Sequence, residues 1–249
     1  MRTLRNPRPS VMKKILSTLI ILALLPLGAT AQVGEQKHDL CIGVNGGIAM
    51  NKVGFTPKIN QTYHIAPTAG LTLRYTSERY LGMYCAFQAE LNYTELGWKE
   101  DIYSSTNTKL PDTYKRNQSY IQLPVMAHLG FGKYRDGFKG YMVAGPQFGY
   151  LIGDKEKQSE TWTTMSSGRP DRMNNVVAQY GLKAENKFEY GITAGLGGEM
   201  TTRFGHFLLE GRYYMGLSNI YGNSKTDPFP KSNHSTITFK VTYLFDVMH

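Results

Sequence analysis

Residues 80–94 alternate between two kinds of side chain, and this alternation constrains the fold more than any other feature. Leu81, Met83, Cys85, Phe87, Ala89, Leu91 and Tyr93 are apolar or aromatic, whereas Gly82, Tyr84, Ala86, Gln88, Glu90, Asn92 and Thr94 are mostly small or polar. Successive side chains of a β-strand point to opposite faces, so the pattern predicts a strand with one apolar face and one polar face. Crossing a bilayer at a tilt takes about 9–11 residues, whereas strands of soluble proteins average about 5–6.

The same period of two recurs along the chain. The predicted strands span residues 39–50, 65–75, 80–94, 119–131, 138–152, 187–200, 207–217 and 236–245. Their connections alternate in length, beginning and ending with a long one. A transmembrane barrel has this order because short turns face the periplasm and long loops face outside, whereas a soluble β-sandwich has no reason to keep it. We therefore predict an eight-stranded antiparallel up-and-down transmembrane β-barrel over residues 32–249.

The predicted apolar faces end in aromatic residues. Membrane barrels carry such aromatic girdles at both membrane–water interfaces. The residues are Tyr75, Tyr93, Phe131, Phe138, Tyr150, Phe188, Phe207 and Phe245. The predicted barrel therefore has an aromatic residue near each border of its apolar belt.

The first 31 residues read as a cleaved signal peptide. Met12-Lys13-Lys14 precede an apolar run at 15–27, and Ala29-Thr30-Ala31 forms a cleavage site. The run is too short for a transmembrane anchor, which needs about 20 apolar residues. Removing the five basic residues of this segment lowers the formal net charge from +9 to +4. The remaining chain shows no basic stripe, so no nucleic-acid partner is expected.

The inward faces of the predicted strands carry a set of polar and charged side chains. They are Arg74, Gln88, Glu90, Gln122, His128, Gln147, Glu189, Glu199, Glu210, Arg212 and Lys240. A barrel of eight strands has an interior that side chains just fill, and charges buried there must be paired. A tight turn at 201–206 would place Arg212 opposite Gly195 and Glu210 opposite Gly197, where small residues leave room for large ones. We predict a plugged polar interior.

Two prolines, Pro124 and Pro146, interrupt predicted strands, where each removes a ladder hydrogen bond. Folding the two strands about residues 134–135 places the prolines almost opposite each other. Both losses would then fall at one bulge or irregular ladder.

Residues that could carry chemistry are few. No zinc-type spacing, H-E-x-x-H, P-loop or G-x-S-x-G occurs, and Cys41 and Cys85 fall on opposite faces. No catalytic, metal or cofactor site and no disulfide is predicted. His64 and His234-Ser235 lie near outer strand ends and would be the candidates in a lipid-modifying or hydrolytic enzyme, although loop-boundary residues are the preferred interpretation. His128 is expected to be a hydrogen-bonded core histidine.

Three segments resemble members of a known family. They read YIQLPV at 120–125, GPQFGYL at 145–151 and RYYMGL at 212–217, and they are similar to the PorT-type outer-membrane β-barrel proteins of Bacteroidetes. The resemblance covers nearly all of the chain after residue 31. It implies an eight-stranded barrel with prolines at the matching places and supplies no catalytic residues. One branch of that family is linked to protein secretion across the outer membrane.

We therefore expect a small, non-enzymatic, porin-like protein of the cell outer membrane. The expected partners are outer-membrane lipids on the apolar face and a protein or polysaccharide at the long loops, especially 153–186, in an envelope- or secretion-related interaction. Trp98 and Trp162 are loop aromatics that could contact such a partner. The alternatives are an enzyme with a rim site near His64 and His234, and a narrow solute channel.

Overall fold

The computed structural model describes residues 35–80, 82–132, 137–222, 224 and 227–248. The predicted signal peptide, Leu81 and the residues 133–136 lie outside the described part. The strands are β1 (Glu35–Thr56), β2 (Gln61–Thr62), β3 (His64–Tyr80), β4 (Met83–Glu100), β5 (Tyr114–Gly132), β6 (Gly137–Gln158), β7 (Phe188–Thr202), β8 (Gly205–Gly216) and β9 (Lys231–Met248).

All strands except β2 form one closed antiparallel ring. Their order is β4-β3-β1-β9-β8-β7-β6-β5, and β5 pairs back with β4. Closure matters because an open sheet would leave a row of unpaired backbone groups at each edge. The two residues of β2 pair only with the end of β4. The predicted eight-stranded up-and-down barrel is confirmed. Within the described residues, no helix has the length and hydropathy that crossing a membrane requires.

The faces of the strands follow the predicted alternation. Every predicted inward polar residue is buried, and the outward set is exposed or half-buried, with Val44, Leu91, Ile192 and Leu209 among its exposed members. Cys41 is buried inside, whereas Cys85 lies on the outer face, and both are free thiols. The predicted girdle aromatics are exposed, except that Tyr75 is half-buried.

The strands extend further than predicted at the end that carries the long loops, here called the long-loop end. β1 continues to Thr56, β4 to Glu100 and β6 to Gln158, while β5 begins at Tyr114 and β9 at Lys231. Beyond the apolar belt the outer face becomes polar. The apolar-outward pattern that predicted the strands therefore ends there, although backbone pairing continues. The long connections shrink to 57–63, 101–113, 159–187 and 217–230, and those at the opposite, short-turn end remain brief.

The two prolines lie side by side, as predicted. Pro124 pairs with Gln147, and the next pair is Ala127 with Ala144, so the ladder between β5 and β6 is interrupted while its register is unchanged. The defect is therefore an irregular ladder rather than a bulge. The ladder between β4 and β5 is interrupted too, between the pairs Ala89–Val125 and Asn92–Gln122, so the two proline defects lie in adjacent ladders rather than at one place.

Candidate functional site at the long-loop end

A cluster of four charged residues fills the middle of the barrel. Glu90 accepts hydrogen bonds from Arg212, with Nη2–Oε1 and Nη1–Oε2 distances of 2.9 and 3.1 Å, and it also accepts one from Lys240. Glu210 forms an ion pair with the same Arg212. Two acids therefore face two bases, which offsets the cost of removing each charge from water. This cluster supplies the partners that a buried Glu90 requires.

The predicted register between β7 and β8 is confirmed. Gly195 lies opposite Arg212, and Gly197 lies opposite Glu210. The second glycine has an additional role, because a Cβ added at Gly197 would lie 2.3 Å from Cζ of Tyr141. Small residues on β7 thus admit bulky side chains from both neighbouring strands.

A second cluster lies below the first, toward the short-turn end. Arg74 Nη1 lies 2.6 Å from Oε2 of Glu199, and Lys139 Nζ lies 3.5 Å from Oε1 of the same carboxylate. His128 lies nearby, with Nδ1 2.8 Å from Gln88 Oε1 and its ring stacked on Tyr141 at 4.4 Å. His128 therefore has the contacts of a core histidine, as predicted.

Little space remains above the central cluster. The cavity there measures about 20 Å³ and is lined by residues such as Asn92, Gln122, Arg212 and Lys240. A water molecule needs roughly 10–15 Å³ by this measure, so the space holds about one water. Side chains therefore fill the barrel at this level.

The rim histidines lie beneath the surface. His64 and His234 point inward from the two strands that flank β1 and are almost fully buried. His234 lies between Gln118, with Nε2–Oε1 of 3.2 Å, and Glu189, with Nδ1–Oε1 of 3.2 Å. Ser235 faces outward, where its hydroxyl lies 2.8 Å from Tyr213 Oη. His234 and Ser235 thus lie on opposite faces of β9 and cannot act as a catalytic pair.

A hydrophobic core closes the barrel above these histidines. Its buried members are Val53, Phe55, Ile59, Trp98, Ile102, Tyr114, Ile220, Tyr221 and Phe229. Phe55 packs edge-on against Trp98 with ring centroids 5.0 Å apart. We call this core and the loops packed on it the cap. Trp98 is fully buried here, so the expectation that it contacts a partner is wrong.

The longest loop, between β6 and β7, is fastened to the cap by buried polar groups. Arg172 Nη1 lies 3.0 Å from Asp112 Oδ2, and its guanidinium lies 4.6 Å over the ring of Trp162. Tyr180 Oη and Gln179 Nε2 donate to Glu100 at 2.8 and 3.0 Å. Burial raises the pKa of the Glu100 carboxyl above its ordinary value, although these two donors oppose the shift.

Sequence reasoning missed the cap. The sequence feature that could have revealed it is a set of large apolar residues within segments assigned as polar loops, notably Ile220-Tyr221 and Phe229. Lone aromatic residues in loops are common, and no periodicity connects residues from four separate connections. Only the ring of strands brings them together.

A groove remains open on the side of the cap. It has a volume of about 560 Å³ and is lined by Lys52, Lys58, Asn60, Gln61, Asp101 and Tyr103, together with cap residues beneath. The lining combines ammonium groups, amides, a carboxylate and an aromatic ring. Such a surface can form hydrogen bonds and stacking contacts with a sugar chain or a peptide.

The chain matches a known protein family. A family model described as outer membrane protein beta-barrel domain matches residues 30–222. No curated protein matches the sequence.

Several solved barrels resemble the fold at low sequence identity. Ail of Yersinia pestis, in complex with the heparin analogue sucrose octasulfate, is 11% identical, with 84% of this chain and all of that chain covered and a TM-score of 0.36. Neisserial surface protein A is 12% identical over 82% and 97% of the two chains, with a TM-score of 0.38. OprG from Pseudomonas aeruginosa is 13% identical over 86% and 99%, with a TM-score of 0.34.

Proposed function

The chain belongs to the family of outer membrane protein β-barrel domains, and we propose that it is a non-enzymatic member with a solute-tight interior and a partner-binding cap. It is an outer-membrane protein. The long-loop end is then extracellular and the short-turn end periplasmic. In this proposal, outer-membrane lipids cover the exposed apolar belt.

The filled interior carries the proposal. A solute channel needs continuous space along the barrel axis, whereas the cavity above the central charge cluster measures about 20 Å³. The cap core lies above that cavity and removes Phe55, Trp98 and Phe229 from solvent. Moving an ion through this interior would require breaking the pairs between Glu90, Arg212 and Lys240, which is costly in a low-dielectric medium.

Conductance in planar bilayers tests the closed interior. We expect the pure, folded protein to insert without steady current. The variant R212A, which removes the largest side chain of the central cluster, should also insert without steady current, because the cap core still closes the barrel above it. Steady pore currents from the unmodified protein would refute the closed interior and favour a narrow solute channel.

The groove on the cap is the proposed binding surface for a protein or polysaccharide partner. Its polar lining is accessible, whereas the aromatic residues beneath it are buried in the cap. A photo-reactive residue at position 103, introduced into the protein in intact cells, tests this assignment. We expect crosslinked adducts at 103 and none at the exposed Lys157, which lies on β6 away from the groove. Equal crosslinking at both positions, or none at 103, would refute it.

The absence of catalysis is likewise part of the proposal. His64 and His234 are covered by the cap, and His234 contacts Gln118 and Glu189 as a core histidine would. Lipid A profiles of cells that carry the double variant H64A/H234A test this. We expect no change from the unmodified protein, and loss of a lipid modification would support the rim enzyme instead.

We further propose that the chain is a PorT-type member from a Bacteroidetes bacterium. The segments at 120–125, 145–151 and 212–217 support this finer assignment. The secretory role of one branch is not included. Mass spectrometry of the culture medium tests that role, and a changed set of secreted proteins on deletion of the protein would assign the chain to that branch.

A further inference from the structure

Three side chains with metal-binding atoms meet at the periplasmic mouth of the barrel. Cys41 on β1 and Asp246 on β9 are cross-strand partners, and His206 stands at the start of β8, the next strand around the ring. Asp246 Oδ1 lies 3.0 Å from Cys41 Sγ and 3.0 Å from His206 Nε2. One ligand atom from each residue lies within 4.8 Å of the other two.

We propose that Cys41, His206 and Asp246 form a binding site for Zn²⁺ or a chemically similar divalent transition metal. A thiolate, an imidazole and a carboxylate are the three ligand types that zinc takes in proteins, whereas Mg²⁺ and Ca²⁺ prefer oxygen alone. Zinc–ligand bonds of about 2.0–2.3 Å in tetrahedral geometry separate neighbouring ligand atoms by about 3.3–3.6 Å. The two 3.0 Å contacts therefore need to lengthen by only about half an ångström.

A second carboxylate holds the histidine in the orientation that a ligand requires. His206 Nδ1 lies 2.6 Å from Glu199 Oε1, so Nε2 is directed toward the cluster. Glu199 is itself fixed by Arg74 at 2.6 Å and by the hydroxyl of Tyr84 at 2.9 Å. Metal-binding histidines almost always carry such a partner on the other ring nitrogen.

Ordinary alternation along β9 directs the aspartate inward, on the same face as the buried Thr242 and Leu244. Leu40 pairs with Met248 and Cys41 pairs with Asp246, so Val247 is the extra residue of a bulge. Bulges locally disrupt a ladder at the rim of a barrel. Here the bulge begins after Asp246, whose pairing with Cys41 continues the regular register, and Val247 and Met248 beyond it are exposed.

The site is open to a cavity through which a hydrated ion can enter. The cavity has a volume of about 630 Å³ and is lined by Cys41, His206 and Asp246 together with Arg74 and Lys139. These two cations both lie beside Glu199, which offsets their repulsion of a metal ion. Three protein ligands leave a fourth position on the cavity side for water.

Metal titration of the folded, untagged protein in detergent tests the site. With Co²⁺ as the probe, we expect thiolate-to-cobalt charge-transfer absorption that saturates at one ion per chain. With Zn²⁺ in calorimetry, we expect C41S and D246N to bind at least tenfold more weakly than the unmodified protein. E199Q, which acts through the histidine, should bind about 10–100-fold more weakly. C85S is the matched control, because it removes the outward-facing thiol and should bind normally.

Heat-modifiable gel migration establishes that each variant is folded before titration. Zn²⁺ should also raise the thermal unfolding temperature of the unmodified protein and of C85S but not of C41S, because a ligand stabilises the state that binds it. A folded unmodified protein without the charge-transfer band would overturn the proposal. So would folded C41S that binds as tightly as the unmodified protein, or C85S that loses binding.

Discussion

At the scale of single residues, the charges and the side-chain volumes inside the barrel compensate one another. A charged residue that points inward is tolerated because its opposite charge arrives from a different strand, as Glu90 of β4 meets Arg212 of β8 and Lys240 of β9. Glycines provide space for large side chains. Gly197 has no side chain, and the ring of Tyr141 occupies the volume that a Cβ would need. Charge and volume are therefore balanced between residues far apart in sequence.

Replacing Glu90 should be strongly destabilising. E90Q leaves Arg212 and Lys240 with Glu210 as the one remaining acid of the cluster, and breaking a buried pair in this way costs about 3–5 kcal/mol. Urea unfolding in lipid vesicles, followed by gel migration, measures the change. E160Q alters an exposed loop carboxylate and should stay within about 0.5 kcal/mol of the unmodified protein. Equal stability of E90Q and E160Q would show that the cluster contributes nothing.

Two glycines on neighbouring strands should respond differently to alanine. A Cβ at Gly197 would lie 2.3 Å from the ring of Tyr141 and 2.6 Å from the carbonyl of Leu209, whereas one at Gly140 meets nothing within 4 Å. Overpacking costs about 1–3 kcal/mol, so G197A should unfold at lower urea concentration. G140A should be neutral or slightly stabilising, since it restricts the unfolded chain. The reverse order of stabilities would contradict the packing described for Tyr141.

At the scale of elements, the strands serve two environments. Within the apolar belt they present apolar residues outward, and beyond it the same strands continue as polar ribbons that support the cap. Glu100 at the end of β4 and Tyr114 at the start of β5 are both buried in this extension. The cap therefore rests on paired backbone rather than on free loops.

The extended strands predict where a protease cuts. Lys155 and Lys157 lie on β6 and pair with Asn117 and Lys115 of β5, whereas the exposed Lys183 lies in the connection that follows. Cleavage requires local opening, and paired strands open less readily than connections. Limited trypsin digestion should therefore cut after Lys183 before it cuts after Lys155 or Lys157, as mass spectrometry of the fragments can show. First cuts after Lys155 or Lys157 would mean that the extension is not paired.

At the scale of the whole molecule, three zones follow one another along the barrel axis. The extracellular cap is a hydrophobic core, the middle is a filled polar interior, and the periplasmic mouth opens into a cavity of about 630 Å³. The barrel is thus closed from the outside and accessible from the periplasm. A partner at the cap and a metal ion at the mouth would act on opposite sides of the membrane.

The attachment of the cap should weaken as the pH rises. Burial raises the folded-state pKa of Glu100, so the stability it contributes is complete below the unfolded-state pKa and is lost as the pH rises through the folded-state value. Tryptophan fluorescence, which reports on Trp98 and Trp162, should show the cap opening at lower urea concentration as the pH rises above the ordinary pKa of a glutamate. E100Q should remove this dependence, and E160Q should retain it. An unchanged dependence in E100Q would assign it to another group.

The sequence alone determined the number of strands, their inward and outward faces and the β7–β8 register, because a period of two and a tight turn leave few alternatives. It could not determine the cap or the full strand lengths, since beyond the apolar belt the outer face becomes polar and apolar residues such as Val53, Phe55 and Trp98 face inward, so the apolar-outward pattern ends. Nor could it connect Cys41 with His206 and Asp246, which carry no recognisable spacing. Closing the ring pairs the first strand with the last, and this long-range pairing alone brings those three residues together.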